Sequence, residues 1–183
     1  MQNVDTSQTR TVGWLSATQL ISWGSIFYMF SLIMGPVELE LGLTRFEASI
    51  GFSLALLVEG LLAYPVGRWI DQGLERRVMT GGSLAAGLCL AMFAGVRSRN
   101  EFFLVWAALG AVMACTLYTP VFAIVTRRFP SNFRRAIITL TFLGGLASTV
   151  FIPLTDWLIT QLGWRLAMVC LSALHFLVCA PIH

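Results

Sequence analysis

Six runs of mostly apolar residues, each close to the length of a bilayer crossing, fill this chain and leave most of its charge to the short intervals between them. The runs lie at 14–35, 46–66, 78–96, 102–126, 136–154 and 166–182. A transmembrane helix needs about 20 such residues. In lipid the backbone has no water to bond, so each span must be a helix or a strand of a closed barrel. The period-2 alternation of a barrel strand is absent, which leaves helices. Of the 183 residues, 57% are hydrophobic and 11% charged, against about 25% charged in an ordinary soluble domain. The expectation is an all-α membrane protein with six transmembrane helices over 14–183, preceded by a cytoplasmic N-terminal tail, 1–13.

The intervals set the orientation. Nine acids and twelve bases give a net charge of +3, and every base is arginine. Cytoplasmic loops carry the excess of basic residues. With the N-terminus inside, that side receives Arg10, Arg68, Arg76, Arg77, Arg127, Arg128, Arg134 and Arg135. The far side receives Arg45, Arg97, Arg99 and Arg165. This imbalance predicts a cytoplasmic N-terminus. The arginines lie near span ends and form no basic stripe with interleaved aromatics, so they signal topology rather than a nucleic-acid surface. Trp14, Trp69, Trp106, Trp157 and Trp164 are expected to form an interfacial belt. The four cysteines fall inside apolar spans without CxxC or metal-ligand spacing, so they are read as buried, reduced thiols. No metal or cofactor is expected. The first run is too long for the apolar core of a cleavable signal peptide and is expected to stay as the first helix. Plasma-membrane placement follows, and the absence of lysine points to a bacterial inner membrane.

Small residues recur at four-residue spacing at Gly87, Ala91 and Gly95, at Gly110 and Ala114, and at Gly144 and Ser148. Such stripes let helices approach closely. Pro120 and Pro153 each remove an internal hydrogen bond and should bend the fourth and fifth spans. Glu59 is the carboxylate well inside a span. A charge at mid-bilayer costs at least ~2.5–3.5 kcal/mol, so Glu59 either carries a proton or bonds a neighbouring helix. His175, in the last span, reads as a neutral imidazole bonded to a neighbouring helix, with a proton relay as the alternative. There is no phosphate-binding glycine loop, paired intramembrane aspartate or HExxH, which argues against ATP as the driver and against an enzyme.

The segment GRWIDQGLERR, 67–77, joins the second and third spans with five charges in eleven residues. Its Gly67, Asp71, Arg76 and Arg77 match the pattern of the loop after helix 2 in the major facilitator superfamily. Gln72 and Glu75 stand where that pattern has bases, and Gly73 is one place early. With six helices, the chain resembles the N-terminal half of such a transporter. The run GGLASTVFIPLTDWLITQLGWR, 144–165, with its Gly-Trp-Arg triplet, is similar to the monocarboxylate and oxalate–formate branch, as is WGSIFYMFSLIMGPVELELGLTR, 23–45.

The resemblance implies two six-helix halves with solute bound between them near the midplane. It also implies that helices 1, 2, 4 and 5 of this half line the cavity while 3 and 6 are peripheral. Ser25, Tyr28, Tyr118 and Thr119 are then the substrate-cavity candidates, with helix–helix bonding as the alternative. Asp71 would help hold the halves together in one state of the cycle. Arg76 and Arg77 would pair with it or with lipid headgroups. The implied function is secondary transport, by symport or antiport, of a small solute such as an organic anion. Its partners would be the bilayer, the solute and a C-terminal six-helix half or a second copy. The last span reaches His183 with hardly a polar flank, so the alternative is a truncated or partner-dependent fragment.

Overall fold

The computed structural model describes the backbone of residues 2–183 and the side chains of residues 9–183. Ten α-helices are resolved among them, three of whose joins are π-helical turns. Helix α1, Gln2–Ser22, passes through a π turn at Trp23–Tyr28 into α2, Met29–Leu41. Next come α3, Arg45–Trp69, a π turn at Ile70–Leu74, and α4, Glu75–Ala94. Helices α5, Arg99–Thr116, and α6, Tyr118–Arg128, form one broken rod, and α7, Phe133–Gly145, and α8, Ala147–Leu162, form another. The last rod is α9, Trp164–Leu174, a π turn at His175–Cys179, and α10, Ala180–Ile182. The segment read as a tail is helical from Gln2 onward; Met1 lies outside the described residues.

Among the described residues, five helical stretches are long and apolar enough to cross a membrane, where the sequence predicts six spans. The difference lies in Arg45–Ala94, which joins the expected spans 46–66 and 78–96 into 50 helical residues. A straight helix of that length would run about 75 Å, more than twice the roughly 30 Å hydrocarbon core. It is not straight. Gly73, with φ 85°, breaks the helical path. Glu47, near the start of α3, meets Arg99, just beyond α4, at 2.8 Å. The two ends of the stretch therefore lie together, and the chain reverses at Gly73.

Local chemistry sets the other boundaries. Thr44 and Glu47 form a reciprocal capping box at the start of α3, with backbone-to-side-chain bonds of 2.9 and 3.2 Å. Ser98 caps α5 by accepting from the Glu101 N–H. The expected break near Pro120 falls at Leu117, whose extended backbone separates α5 from α6. In the fifth rod the interruption is at Leu146, ahead of Pro153, which stays inside α8. The interval 155–165, read as a loop, is helix up to Leu162, because its charges are few and nothing before Gly163 stops the helix.

Helices α5 and α6 are the centre of the bundle: 61% of their apolar window is buried, against 17% for α3–α4 and 22% for α7–α8. Trp106 is consequently a core residue with no exposed surface, ringed by Phe30, Phe52, Phe93 and Phe102. Trp164 is also buried. The interfacial-belt expectation fails for these two, while Trp14, Trp69 and Trp157 are about half exposed. Small residues act as packing seats. Gly110 lies against the Ala55 carbonyl, and Gly87 sits beneath the Phe176 ring while its own carbonyl accepts from Ser172 Oγ at 2.7 Å. A Cβ at Gly110 would collide with the α3 backbone, so that seat is specific to glycine, whereas one at Gly87 would require the Phe176 ring to shift.

Candidate transport cavity and gating loop

The π turn at Trp23–Tyr28 widens the first rod and divides the candidate residues between two sides of it. Ser25 is fully buried; its hydroxyl donates to the Ile21 carbonyl at 2.7 Å and lies 2.8 Å from His175 Nε2. Because the Ser25 proton is used on Ile21, its oxygen accepts from Nε2–H, which fixes the imidazole tautomer. His175 is itself fully buried and opens the π turn of the last rod. The expected bond from His175 to a neighbouring helix is thus made to the first rod, and it holds Ser25 against the last.

Tyr28 and Tyr118 form a separate cluster. The Trp23 ring centroid is 4.8 Å from that of Tyr118 and 6.3 Å from that of Tyr28. Phe122 stacks on Tyr118 at 5.0 Å. Tyr118 follows the α5–α6 break, and its hydroxyl reaches the Thr141 carbonyl at 3.4 Å, over the face of Gly144. Gly144 has to be small because a Cβ there would strike the Tyr118 oxygen. Both tyrosines keep part of their surface open, and Thr119 beside them is exposed. Two aromatic rings and an exposed threonine thus lie near one another beside the α5–α6 break.

Glu59 lies one turn beyond Ala55 on α3, half-buried, and makes no hydrogen bond or ion pair among the described residues. It joins neither the tyrosine cluster nor the Ser25–His175 pair through any bond.

At the arginine-rich end, the 67–77 loop is a turn held from below. Gly73 takes the left-handed conformation, which only glycine adopts at little cost. Arg127, at the end of α6, donates to the Ile70 carbonyl and pairs with Glu75 at 3.7 Å. Arg128 reaches the same carboxylate at 3.4 Å. Glu75, which departs from the family pattern, is thereby explained as the loop's internal anchor. Asp71, Arg76 and Arg77 remain exposed and make no ion pair among the described residues.

The Gly-Trp-Arg triplet closes the opposite end. Gly163, at φ 80° and ψ 157°, turns the chain from α8 into α9. Trp164 Nε1 donates to Glu40 at 2.8 Å, and Arg165 pairs with Glu40 at 2.7 Å. Arg165 also donates to the Ala94 carbonyl and, at 2.7 Å, to that of Val96. One guanidinium therefore ties the ends of α2, α4 and α9. Sequence reading marked the triplet but not its partners, because Glu40 is more than a hundred residues away along the chain.

The sequence matches the profile of the Major Facilitator Superfamily over residues 15–182. It is 32% identical over 169 residues to the "Monocarboxylate transporter 13" of Rattus norvegicus, covering 89% of this chain and 37% of the relative. It is 36% identical over 124 residues to the protein of the same name from Bos taurus, covering 64% of this chain and 28% of that relative. The chain thus spans 28 to 37% of the length of the curated relatives it matches. With apolar helices of membrane-crossing length throughout, this multi-pass membrane chain belongs to the Major Facilitator Superfamily of transporters and is similar to its monocarboxylate branch.

Proposed function

We propose that this chain is the N-terminal six-helix half of a secondary transporter that carries a small organic anion by alternating access. The reading has the helices cross the plasma membrane six times from a cytoplasmic N-terminus, as the placement of the arginines favours. The complementary surface would come from a C-terminal six-helix half or a second copy.

The observation that carries this reading is the uneven use of partners at the 67–77 loop. Glu75 is consumed inside the half by Arg127 and Arg128, while Asp71, Arg76 and Arg77 stay exposed and, among the described residues, unpaired on the same turn. Charges fixed in place but left without partners suit a contact made in one state and broken in the other. Tyr28, Tyr118 and Thr119 supply the solute-facing wall, and Ser25 supports it through His175. Glu59 takes the proton in a proton-coupled cycle. The word monocarboxylate in the relatives' name supports an organic anion.

The test is uptake of labelled lactate and related carboxylates into proteoliposomes bearing the protein that contains this chain. Saturable uptake driven by an inward proton gradient or by preloaded counter-substrate is the expected result. Absence of flux under every imposed gradient would remove the transport reading. Glu59→Gln should abolish pH-dependent uptake and leave exchange intact; equal loss of both would take the proton role from Glu59.

A further inference from the structure

We propose that the trough between α4 and α5 holds an acyl chain of an anionic phospholipid whose headgroup rests on Arg77. A cavity of about 520 Å³ opens there, walled by Gly81, Ala85 and Cys89 of α4 and by Ala108, Ala111 and Cys115 of α5. The walls are apolar and small, so the two helices meet at the floor without filling the space above it. The floor is tight: a Cβ on Gly82 would lie 2.7 Å from Cys115 Cβ. Leu84, Leu88 and Met92, on the neighbouring stripe of α4, are 42–55% exposed. The trough thus opens on the face that this helix turns to lipid.

Its mouth is built differently from its walls. Trp69, Leu74 and Arg77 stand there, and Arg77 is the one charged side chain among the described residues that line it. Among the described residues Arg77 has no acidic partner, whereas Arg127 and Arg128 pair with Glu75. A positive charge facing an apolar trough is complementary to a molecule with a hydrocarbon chain and an anionic head. The length agrees as well. From Arg77 to Cys89 is twelve residues of helix, about 18 Å, close to the roughly 15 Å depth of one leaflet's hydrocarbon. A half-exposed tryptophan beside the arginine sits well at the headgroup level. The chain gains dispersion contacts that bulk lipid makes less fully against a concave wall. The head gains the attraction of an uncompensated arginine.

Native mass spectrometry of the purified full chain tests this, with phosphatidylglycerol and phosphatidylcholine of identical acyl chains as probes. The expected result is one retained phosphatidylglycerol, preferred about fivefold over phosphatidylcholine. Arg77→Gln should bring the preference to near unity, while Arg134→Gln, on α7 and outside the trough, leaves it in place. Gly81→Leu should lower retention of both lipids by filling the trough. A Cβ at Gly81 meets nothing within 4 Å, so the fold accommodates it, and circular dichroism would verify that. Equal binding of the two lipids by the unaltered chain would overturn the proposal. So would an unchanged preference in Arg77→Gln, which keeps the test open if Gly81→Leu misfolds. Transport plays no part in this readout, so its failure would leave the transport reading untouched.

Discussion

At the end of the bundle that holds Gly163, Arg165 binds two carbonyls at the end of α4 and the carboxylate of Glu40, and Trp164 binds the same carboxylate. At the arginine-rich end, Arg127 plays a corresponding part on the Ile70 carbonyl and Glu75. Both ends therefore use a guanidinium to satisfy carbonyls that a helix end leaves without partners. They differ in what remains. At the Gly163 end the described acids nearest the turn are paired: Glu38 with Arg45, Glu40 with Arg165 and Glu47 with Arg99. At the arginine-rich end Asp71, Arg76 and Arg77 are exposed and make no ion pair among the described residues. The acids of one turn are spent within the described chain, and those of the other are only partly so.

That contrast can be broken most directly at Arg165. Arg165→Ala removes bonds to the ends of α2 and α4 and leaves Glu40 without its cation, so it should destabilise the chain by roughly 3 kcal/mol. Thermal unfolding in detergent would read this, and a change within error would mean that the Gly163 end is not stapled. Gly163→Ala comes next. Its φ and ψ fall in a region that is nearly restricted to glycine, and a side chain there should cost about 2 kcal/mol. Gly73→Ala should cost less, about 1 kcal/mol, since its left-handed conformation is open to other residues at moderate strain. If the order of the two glycines were reversed in the same unfolding assay, the arginine-rich turn would be the more rigid of the two. Asp71→Asn should leave the unfolding temperature unmoved, because the carboxylate makes no bond among the described residues. It should still slow transport by about tenfold if the contact it makes biases one state by a typical coupling energy. A fall in stability with no change in transport would turn Asp71 into an internal anchor and erase the difference between the ends.

The legibility of the molecule follows the range of its interactions. Helix positions were readable because hydropathy over some 20 residues decides whether a segment enters lipid, and that decision is local. The reversal at Gly73 was legible as a charged loop, although helical hydrogen bonding continues almost through it. The small-residue seats at Gly87, Gly110 and Gly144 could be marked by spacing, while their partners Phe176, Ala55 and Tyr118 could not. Trp106 shows the limit best. Its place near the start of a span suggested an interfacial ring, yet α5 turned out to be the central helix, and position in the bundle overrode position in the span. The site candidates divided for the same reason. Tyr118 and Tyr28 converge through Trp23, whereas Ser25, three residues from Tyr28, turns to His175 because the π turn redirects it.

Sequence alone determined that this chain is helical and lipid-immersed, where its charges interrupt it, and which family it resembles. Those are sums over neighbouring residues, and no distant contact can reverse them. Tertiary structure decided which arginines are spent on carbonyls and which are left free, which glycines bear a neighbour's ring, and which hydroxyls face an open wall. Each of those depends on pairs that lie from about 20 to 150 residues apart along the chain. Their meeting is set by the packing of whole helices, a property no local window contains.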